Sequence, residues 1–303
     1  MNPLLIEIQK KIDSNIISTF FPPQGMGSNV FFITTQEGNK YAVKESGKEN
    51  NDSTVLKIIS NADIVIKVPK LINSFEFEGK SIVILEKIDF PLLESINTLE
   101  MGKYIPSMIK NLNNLHTIKS DKAGYINSKK RYMFWKDFLL SFFNGKNPSL
   151  NWNEIKSREG LDEKLIHKSI EKIIEVIKKT EFFSTDYSLL HSDFNQRNLF
   201  VNPDTNDLAA IIDWGEAMYG DPVYDFARIR MYIWHFDLGD TVIKNYYNLM
   251  NYSVHKKKLD TLYWLVRVIE YLAYYSEELN EFNCGRIKLH QDFLRNFDWA
   301  VFE

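Results

Sequence analysis

The spacing of hydrophobic residues changes about a third of the way along the chain. Before residue 86, apolar and polar residues alternate in two pairs of runs, each pair separated by turn-forming residues: 30–35 with 40–45, and 71–77 with 81–85. Alternation on both sides of a turn predicts an antiparallel hairpin. Helical spacing of apolar residues predicts helices over 4–16 and 52–60. The first part of the chain is therefore predicted to be a small antiparallel sheet accompanied by helices.

Beyond residue 97 the apolar residues repeat with helical spacing, with one interruption. Short apolar runs separated by polar loops predict three brief strands, at 187–190, 199–201 and 208–212. We predict a boundary between two lobes where the strand pattern ends, so that the first covers 1–88 and the second, mostly helical, covers 89–303. The predicted fold class is α+β.

Composition narrows the class of protein without identifying a function. The 303 residues are 44% hydrophobic and 25% charged, which is typical of a globular protein and excludes a disordered chain. A net charge of −3 gives no support for nucleic-acid binding. No apolar run reaches the length of a membrane-spanning helix, and the N-terminus lacks the pattern of a signal peptide. With Cys284 as the single cysteine, we predict a cytoplasmic protein that binds neither membrane nor nucleic acid.

A polar loop between two of the predicted strands carries the strongest chemical signature. Residues 191–198 read HSDFNQRN, and the next strand ends in IIDW at 211–214. Phosphoryl transfer from a nucleotide needs a carboxylate that orients the attacking hydroxyl and accepts its proton, and it needs oxygen ligands for Mg²⁺. Asp193 suits the first role, and Asn198 and Asp213 suit the second. We therefore predict these three residues to be catalytic, with Asn198 and Asp213 as the metal ligands.

Upstream residues are predicted to bind the phosphates of the nucleotide. Lys44 ends an alternating strand, and a lysine in that position reaches phosphates when an acid on the adjacent helix holds it. Helical spacing turns Asp52 inward, so Asp52 is the first candidate for this acid and Glu49 is the alternative. Gly27 and Ser28 belong to a loop of small residues whose backbone N–H groups could approach phosphates.

These motifs resemble those of the aminoglycoside phosphotransferase family, relatives of the protein kinases. The resemblance is greatest to the hygromycin B phosphotransferase branch, through 212–221 and a counterpart of 135–138. It implies a protein-kinase-like two-lobed fold in which 1–88 binds the nucleotide, with ATP or GTP held near Glu86 and Ile88. It also implies Mg²⁺ as a cofactor and an aminoglycoside as the substrate, whose phosphorylation confers antibiotic resistance.

The charge around the motifs is a second reason to expect a cationic substrate. Residues 191–240 contain nine acidic and three basic residues. The sequence offers no cationic partner for Glu216, Asp221 or Asp237. Such a surplus would attract the ammonium groups of an aminoglycoside.

An aromatic cluster follows the acidic segment. Tyr232, Trp234 and His235 have the helical spacing of core residues, or they form a stacking platform for a sugar ring, as the resemblance implies. We include them with Glu216 and Asp237 as predicted substrate contacts.

Two alternatives to an aminoglycoside kinase stay open. One keeps the chemistry and changes the substrate to a small metabolite such as choline, an aminosugar or methylthioribose. The other is a catalytically inactive kinase fold that binds a nucleotide or a partner, although the presence of Lys44, Asp193, Asn198 and Asp213 argues against it. We predict a monomer that acts on a small molecule.

Overall fold

A computed structural model of the chain describes residues 2–22, 29–47, 51–144, 152–155 and 157–303. Its strands are β1 Ile16–Phe20, β2 Asn29–Thr35, β3 Lys40–Ser46, β4 Leu71–Phe77, β5 Lys80–Glu86, β6 Lys119–Ser120, β7 Gly124–Tyr125, β8 Tyr187–Leu190, β9 Leu199–Asn202, β10 Asp207–Ile211 and β11 Met218–Gly220. Its helices are α1 Pro3–Ile12, α2 Asp52–Asn61, α3 Thr98–Met101, α4 Ile105–Leu115, α5 Trp135–Ser141, α6 Trp152–Ile155, α7 Glu163–Lys179, α8 Val223–His235, α9 Asp240–Met250, α10 Val254–Tyr275 and α11 Glu281–Asn296. Antiparallel sheets with separate helices confirm the predicted α+β class.

The chain packs as two compact units. The first comprises Met1–Ile118, Tyr125–Lys129 and His191–Ala217, and the second comprises Lys119–Gly124, Lys130–Leu190 and Met218–Glu303. Because these units are defined by packing, the lobe boundary between residues 88 and 89 stays a prediction.

The first unit is built on a five-stranded antiparallel sheet with the strand order β1-β2-β3-β5-β4. One face of the sheet packs against α1 through Leu4 and Ile8 of the helix. The strand residues buried in this core alternate along the strands, as expected for a sheet with one apolar face: Phe31, Ile33, Val43, Ile82 and Ile84. Both predicted hairpins and the helix that begins at Asp52 are confirmed.

The N-terminal helix is shorter than its apolar spacing predicts. It ends at Ile12 because Asp13 adopts a left-handed conformation with φ 49°, and the N–H of Asp13 bonds to the carbonyl of Gln9. Ile16, predicted as the last turn of the helix, begins the edge strand β1 instead. The sequence signal for β1 is weak because four of its five residues are exposed and do not alternate.

The hairpin β9–β10 belongs to the first unit although it lies more than 100 residues after the five-stranded sheet. Its backbone N–H groups donate at both strands: Val201 to the carbonyl of Pro91 at 2.9 Å, and Ile211 to the carbonyl of Lys67 at 2.8 Å. The N–H of Leu208 donates to Oγ of Ser107 on α4 at 2.9 Å. These bonds hold the polar loop 191–198 in the same unit as Lys44.

The second unit is mostly helical and contains a four-stranded sheet with the order β6-β8-β11-β7. Gly220 on β11 lies against the indole of Trp135, and a Cβ at this glycine would come within 2.3 Å of the ring. The next residue, Asp221, is buried and accepts hydrogen bonds from the N–H groups of Val223 at 3.0 Å and Ser184 at 3.2 Å. The segment that resembles the hygromycin branch therefore contains residues that anchor α8.

None of the helices among the described residues combines the length and the apolar character needed to cross a bilayer.

Candidate active site

Lys44 forms the centre of a buried charge cluster in the first unit. Its Nζ lies 2.6 Å from Oδ2 of Asp52 and 2.7 Å from Oδ1 of Asp213. The register of the sheet sets Lys44 opposite Val30 on β2 and Val83 on β5, on the face away from α1. Burial by itself lowers the pKa of Lys44, but the attraction of Asp52 and then of Asp213 outweighs it and raises this pKa above its ordinary value. The lysine is therefore charged at neutral pH.

Asp52 is the acid that pairs with Lys44, as its helical spacing predicts. Glu49, the alternative, lies outside the described residues. Oδ1 of Asp52 also accepts a hydrogen bond from the N–H of Trp214 at 2.7 Å. The preceding residue, Asn51, donates from Nδ2 to the carbonyl of Gly215 at 2.6 Å. The start of α2 is thus bonded to the residues directly after Asp213.

The loop after β8 presents Asp193 with its carboxylate held by two amides. Nδ2 of Asn195 lies 2.9 Å from Oδ1 of Asp193, and Nδ2 of Asn198 lies 3.0 Å from Oδ2. Asp193 is partly exposed, so its carboxylate is accessible while its orientation is fixed. A carboxylate with this accessibility could accept a proton from a bound hydroxyl.

His191 supports this loop from the core. It is fully buried, and its Nε2 lies 2.9 Å from the carbonyl of Ile212. Its Nδ1 accepts the N–H of Asp193 at 3.2 Å, so the ring joins the loop to the strand end at Ile212. Both Ser192 (φ 67°) and Asp213 (φ 64°) have left-handed backbones. The backbone conformation of Ser192 is one that glycine adopts more readily than other residues, because glycine has no Cβ.

Oxygen atoms suited to Mg²⁺ lie next to one another along two strand ends. The N–H of Ile212 donates to the carbonyl of Asn198 at 2.9 Å, which brings Asp213 beside Asn198. Nδ2 of Asn198 donates to Asp193, and Oδ1 of Asp213 accepts from Lys44. The other oxygen of each side chain, Oδ1 of Asn198 and Oδ2 of Asp213, makes no hydrogen bond within the described part of the chain. The donor set fits Mg²⁺, which takes one or two protein oxygens together with nucleotide phosphates. Among the described residues, no group of three or more His, Cys, Asp or Glu side chains is arranged to hold a metal ion.

The predicted nucleotide contacts are partly described. Glu86 is exposed, and its backbone N–H and its carboxylate bond to Lys70 at 2.9 and 3.3 Å. Ile88, just beyond β5, makes no backbone hydrogen bond with any described residue. Gly27 and Ser28 lie outside the described residues.

The sequence pattern did not single out two apolar residues of the sheet, Ala42 and Leu85, or one residue of the polar loop, Asn195. Ala42 and Leu85 pair across β3 and β5 on the face that carries Lys44. Their signal was available in the alternation of β3. Asn195 lies within the polar loop, and nothing in its spacing distinguishes it from an ordinary turn residue.

The predicted substrate contacts are distributed over both units. Glu216 is exposed in the first unit. In the second, Tyr232 is buried against Phe236 with ring centroids 5.1 Å apart, while Trp234 and His235 stack on each other at 5.7 Å and are partly exposed. Asp237 is exposed. The role of these five residues in substrate binding stays a prediction.

Arg197 and Asp221 each have a partner that could not be identified from the sequence. Arg197 pairs with Glu94, with Nε 3.2 Å from Oε2. The buried Asp221 holds the start of α8 and is therefore not a surface acid that could attract a substrate. The expectation that Asp221 contributes to the surplus charge around a substrate is wrong.

The first unit brings together a paired lysine, an oriented carboxylate and two adjacent metal-ligand candidates, which are the groups that phosphoryl transfer of the kinase type uses. The sequence profile of the Phosphotransferase enzyme family matches residues 21–249, and the chain belongs to this family. It is a nucleotide-dependent O-phosphotransferase. The resemblance inferred from the motifs is confirmed.

Similar proteins of known structure support the fold. The aminoglycoside phosphotransferase APH(4)-Ia, in a ternary complex with AMP-PNP and hygromycin B, superimposes with a TM-score of 0.72 at 15% identity over 99% of this chain and 97% of that chain. A putative fructosamine-3-kinase from Haemophilus somnus 129PT gives a TM-score of 0.63 at 14% identity over 96% and 95% of the two chains. These likenesses confirm the protein-kinase-like fold.

One curated relative also matches part of the sequence. It is the hygromycin-B 4-O-kinase of Escherichia coli, 27% identical over 100 residues, which is 33% of this chain. The matched region spans about a quarter (26%) of that relative's length.

Proposed function

We propose that this protein transfers the γ-phosphoryl group of ATP or GTP to a hydroxyl of an aminoglycoside, with hygromycin-like aminocyclitols as the first candidates. The observation that carries the proposal is the carboxylate of Asp193, accessible and held by the amides of Asn195 and Asn198 at 2.9 and 3.0 Å. Modification of the antibiotic in this way would confer resistance on the cell.

The proposed step is a direct transfer. The oxygen of the acceptor hydroxyl forms a bond to the γ-phosphorus, and the bond from that phosphorus to the β–γ bridging oxygen breaks. The electron pair leaves with the nucleoside diphosphate, and the hydroxyl proton goes to the carboxylate of Asp193. Asp193 thus acts as the general base and orients the nucleophile.

The charge cluster would bind the donor. Lys44 keeps its charge beside Asp52, so it can bind the nucleotide phosphates without losing its position. Asn198 and Asp213 would hold Mg²⁺ through the two side-chain oxygens that other residues leave unused. Bound there, the ion supplies positive charge that offsets the charge of the transferring phosphates.

The segment just beyond the end of β5, at Ile88, is proposed to bind the base of the nucleotide. A backbone N–H and a carbonyl without partners among the described residues can bond to a purine edge. Ala42 and Leu85 lie on the same sheet face as Lys44 and would provide an apolar surface for the ring.

The substrate class is supported by charge and by the relatives. Of the three acids without an evident partner in sequence, Glu216 and Asp237 are exposed. The similar structure of APH(4)-Ia is a complex with hygromycin B, and the Escherichia coli relative is a hygromycin-B 4-O-kinase. Because the buried Asp221 lowers the available negative charge, a less highly charged acceptor of the metabolite kind is the second candidate.

A turnover screen tests the proposal. The purified protein is incubated with Mg²⁺, with ATP or GTP, and with hygromycin B, gentamicin, choline or a fructosamine, and phosphorylated product is detected by mass spectrometry. We expect product from at least one aminoglycoside, and at least a hundredfold lower kcat for Asp193→Asn, the usual scale of a general-base loss. Gln196→Ala, a change in the same loop, is the matched control.

Two outcomes would contradict the proposal. Turnover of choline or the fructosamine with none of any aminoglycoside would replace the substrate class and keep the chemistry. Absence of transfer to every acceptor, or an Asp193→Asn rate equal to that of the wild type, would overturn the assignment of the site.

A further inference from the structure

Asn195 makes two kinds of hydrogen bond in the loop that carries Asp193. As an acceptor, its Oδ1 receives the backbone N–H of Arg197 at 2.9 Å, a bond that shapes the turn. As a donor, its Nδ2 reaches Oδ1 of Asp193 at 2.9 Å and the Asp193 carbonyl at 3.2 Å. The two ends of the amide therefore serve different partners.

The second oxygen of the Asp193 carboxylate is held by another amide. Nδ2 of Asn198 lies 3.0 Å from Oδ2 and 2.9 Å from the Asp193 carbonyl. Each carboxylate oxygen thus receives one amide donor, and rotation of the carboxylate about its Cβ–Cγ bond would break both bonds. The orientation of the two amides therefore sets the directions in which the carboxylate can meet an acceptor hydroxyl.

The two amides are not equivalent in the proposed reaction. Asn198 is the candidate metal ligand through its Oδ1, so its position also depends on the ion. Asn195 is not a candidate metal ligand, and its Oδ1 accepts the N–H of Arg197. It is the amide that can hold Asp193 in the same way whether or not a metal is bound.

We propose that Asn195 is a positioning residue that orients the Asp193 carboxylate toward the acceptor hydroxyl. The inference rests on the proposed function, in which Asp193 is the general base. Loss of the donor from Asn195 frees one carboxylate oxygen, and the carboxylate then samples orientations in which no lone pair meets the hydroxyl. Misplacement of a reacting group by about 1 Å lowers rates by up to about a hundredfold.

Two substitutions separate positioning from turn formation. Asn195→Asp has the same shape and keeps the oxygen that accepts the Arg197 N–H, but it replaces the amide donor with a carboxyl group that repels Asp193 or shares a proton with it. Asn195→Ser is neutral and keeps a hydroxyl that can stabilise the turn, but it is too short to bridge to the Asp193 carboxylate. Gln196→Ala is the matched control, since none of the hydrogen bonds described for this loop uses the Gln196 side chain.

We expect both Asn195 variants to lower kcat by about tenfold to a hundredfold. The KM for the nucleotide should change by less than about twofold, because the contacts of Lys44 stay intact. A residue that only shapes the turn would leave kcat near wild type in both variants. Near-wild-type kcat for Asn195→Asp and Asn195→Ser would therefore overturn the proposal while the kinase assignment stood.

Crystal structures of the wild type and Asn195→Ser provide a readout that needs no turnover. We expect the Asp193 carboxylate to keep its two amide contacts in the wild type and to rotate in the variant. An unrotated carboxylate in the variant would contradict the positioning role. An inactive wild type that nevertheless shows the rotation in the variant would refute the proposed function alone.

Discussion

Lys44 in the first unit and Arg230 in the second each pair with an aspartate, but the two aspartates differ in burial and in the hydrogen bonds they accept. Asp260, which pairs with Arg230 at 3.0 Å, is fully buried, and both of its oxygens accept further bonds, from the hydroxyls of Tyr246 and Tyr247 at 3.0 Å. Asp213, which pairs with Lys44, is about half exposed and keeps one oxygen free of hydrogen bonds to the described residues.

The difference separates a structural ion pair from one available for chemistry. Arg230 also donates to Oγ1 of Thr261 at 2.8 Å and lies 4.0 Å from the ring centroid of Trp264. The guanidinium group therefore has further protein partners besides Asp260. The two cations are about equally exposed, so the difference lies in the carboxylate: a site that binds a metal must keep carboxylate oxygens unused. Acidic residues in the sequence look alike in both places, and only their remaining hydrogen-bonding capacity distinguishes them.

The largest effect is expected at the metal-ligand candidates. Asp213→Ala removes a carboxylate from the proposed magnesium site, so the Mg²⁺ concentration needed for half-maximal rate should rise steeply and kcat should fall by more than about a hundredfold. Asn198→Ala removes a neutral ligand and should act in the same direction more weakly. Rates are measured across a magnesium titration, with thermal unfolding followed in parallel. An unchanged magnesium dependence in both variants would show that the metal site is elsewhere.

At the structural pair the expected loss is in stability rather than in the magnesium dependence. Asp260→Asn leaves the charge of Arg230 without a carboxylate in a buried setting, and the free energy of unfolding should fall by about 3–5 kcal/mol. Denaturant unfolding gives this value, with Asp292→Asn at an exposed ion pair as the control. If Asp260→Asn were as stable as the wild type while its magnesium dependence changed, the contrast between the two pairs would be wrong.

A smaller, pH-dependent effect is expected from His235 and His290, whose rings lie 5.0 Å apart in the second unit. Burial, followed by nearby positive charge, lowers the pKa of His235 to about 3, and burial lowers that of His290 to about 4. Between pH 6.5 and these values the unfolded chain binds more protons than the folded chain, so stability decreases as the pH falls through this window. Above it the two histidines contribute no slope.

His290→Gln tests this expectation. Removing the imidazole should lessen the loss of stability between pH 6.5 and 4 by at most about 3 kcal/mol, read from urea unfolding at several pH values. The exposed His167, changed to Gln, is the control. A slope that stayed the same in His290→Gln would mean that this histidine is not the source of the acid sensitivity.

The smallest effect is expected where a charge pair lies at the surface beside the active loop. Glu94→Gln breaks the exposed pair with Arg197 but keeps the bond from the Glu94 N–H to the carbonyl of Gln196 at 3.2 Å. Exposed pairs contribute about 0–1 kcal/mol, so stability should change within that range and kcat by less than about threefold. A tenfold loss of kcat would show that the pair of Glu94 and Arg197 helps to position the active loop.

Much of the fold could be predicted because its strands and helices have regular local patterns. The hairpins around 36–39 and 78–80, the three short strands near the polar loop and the helix starting at Asp52 all follow from alternation or helical spacing. The edge strand β1 could not be predicted in this way, since exposed residues on an edge strand need not alternate. The three-residue strand β11 is too short to show a period.

The sequence by itself determined which residue types could perform phosphoryl transfer: the spacing of Asp193, Asn198 and Asp213, and the inward position of Asp52 on its helix. Only the tertiary structure decided how those residues are used. It paired Lys44 with Asp213, 169 positions away, turned the amide of Asn195 toward Asp193, and buried Asp221 at the start of α8. Spacing reflects the backbone geometry of neighbouring residues, whereas these hydrogen bonds and ion pairs depend on which distant segments pack together and on what water can reach.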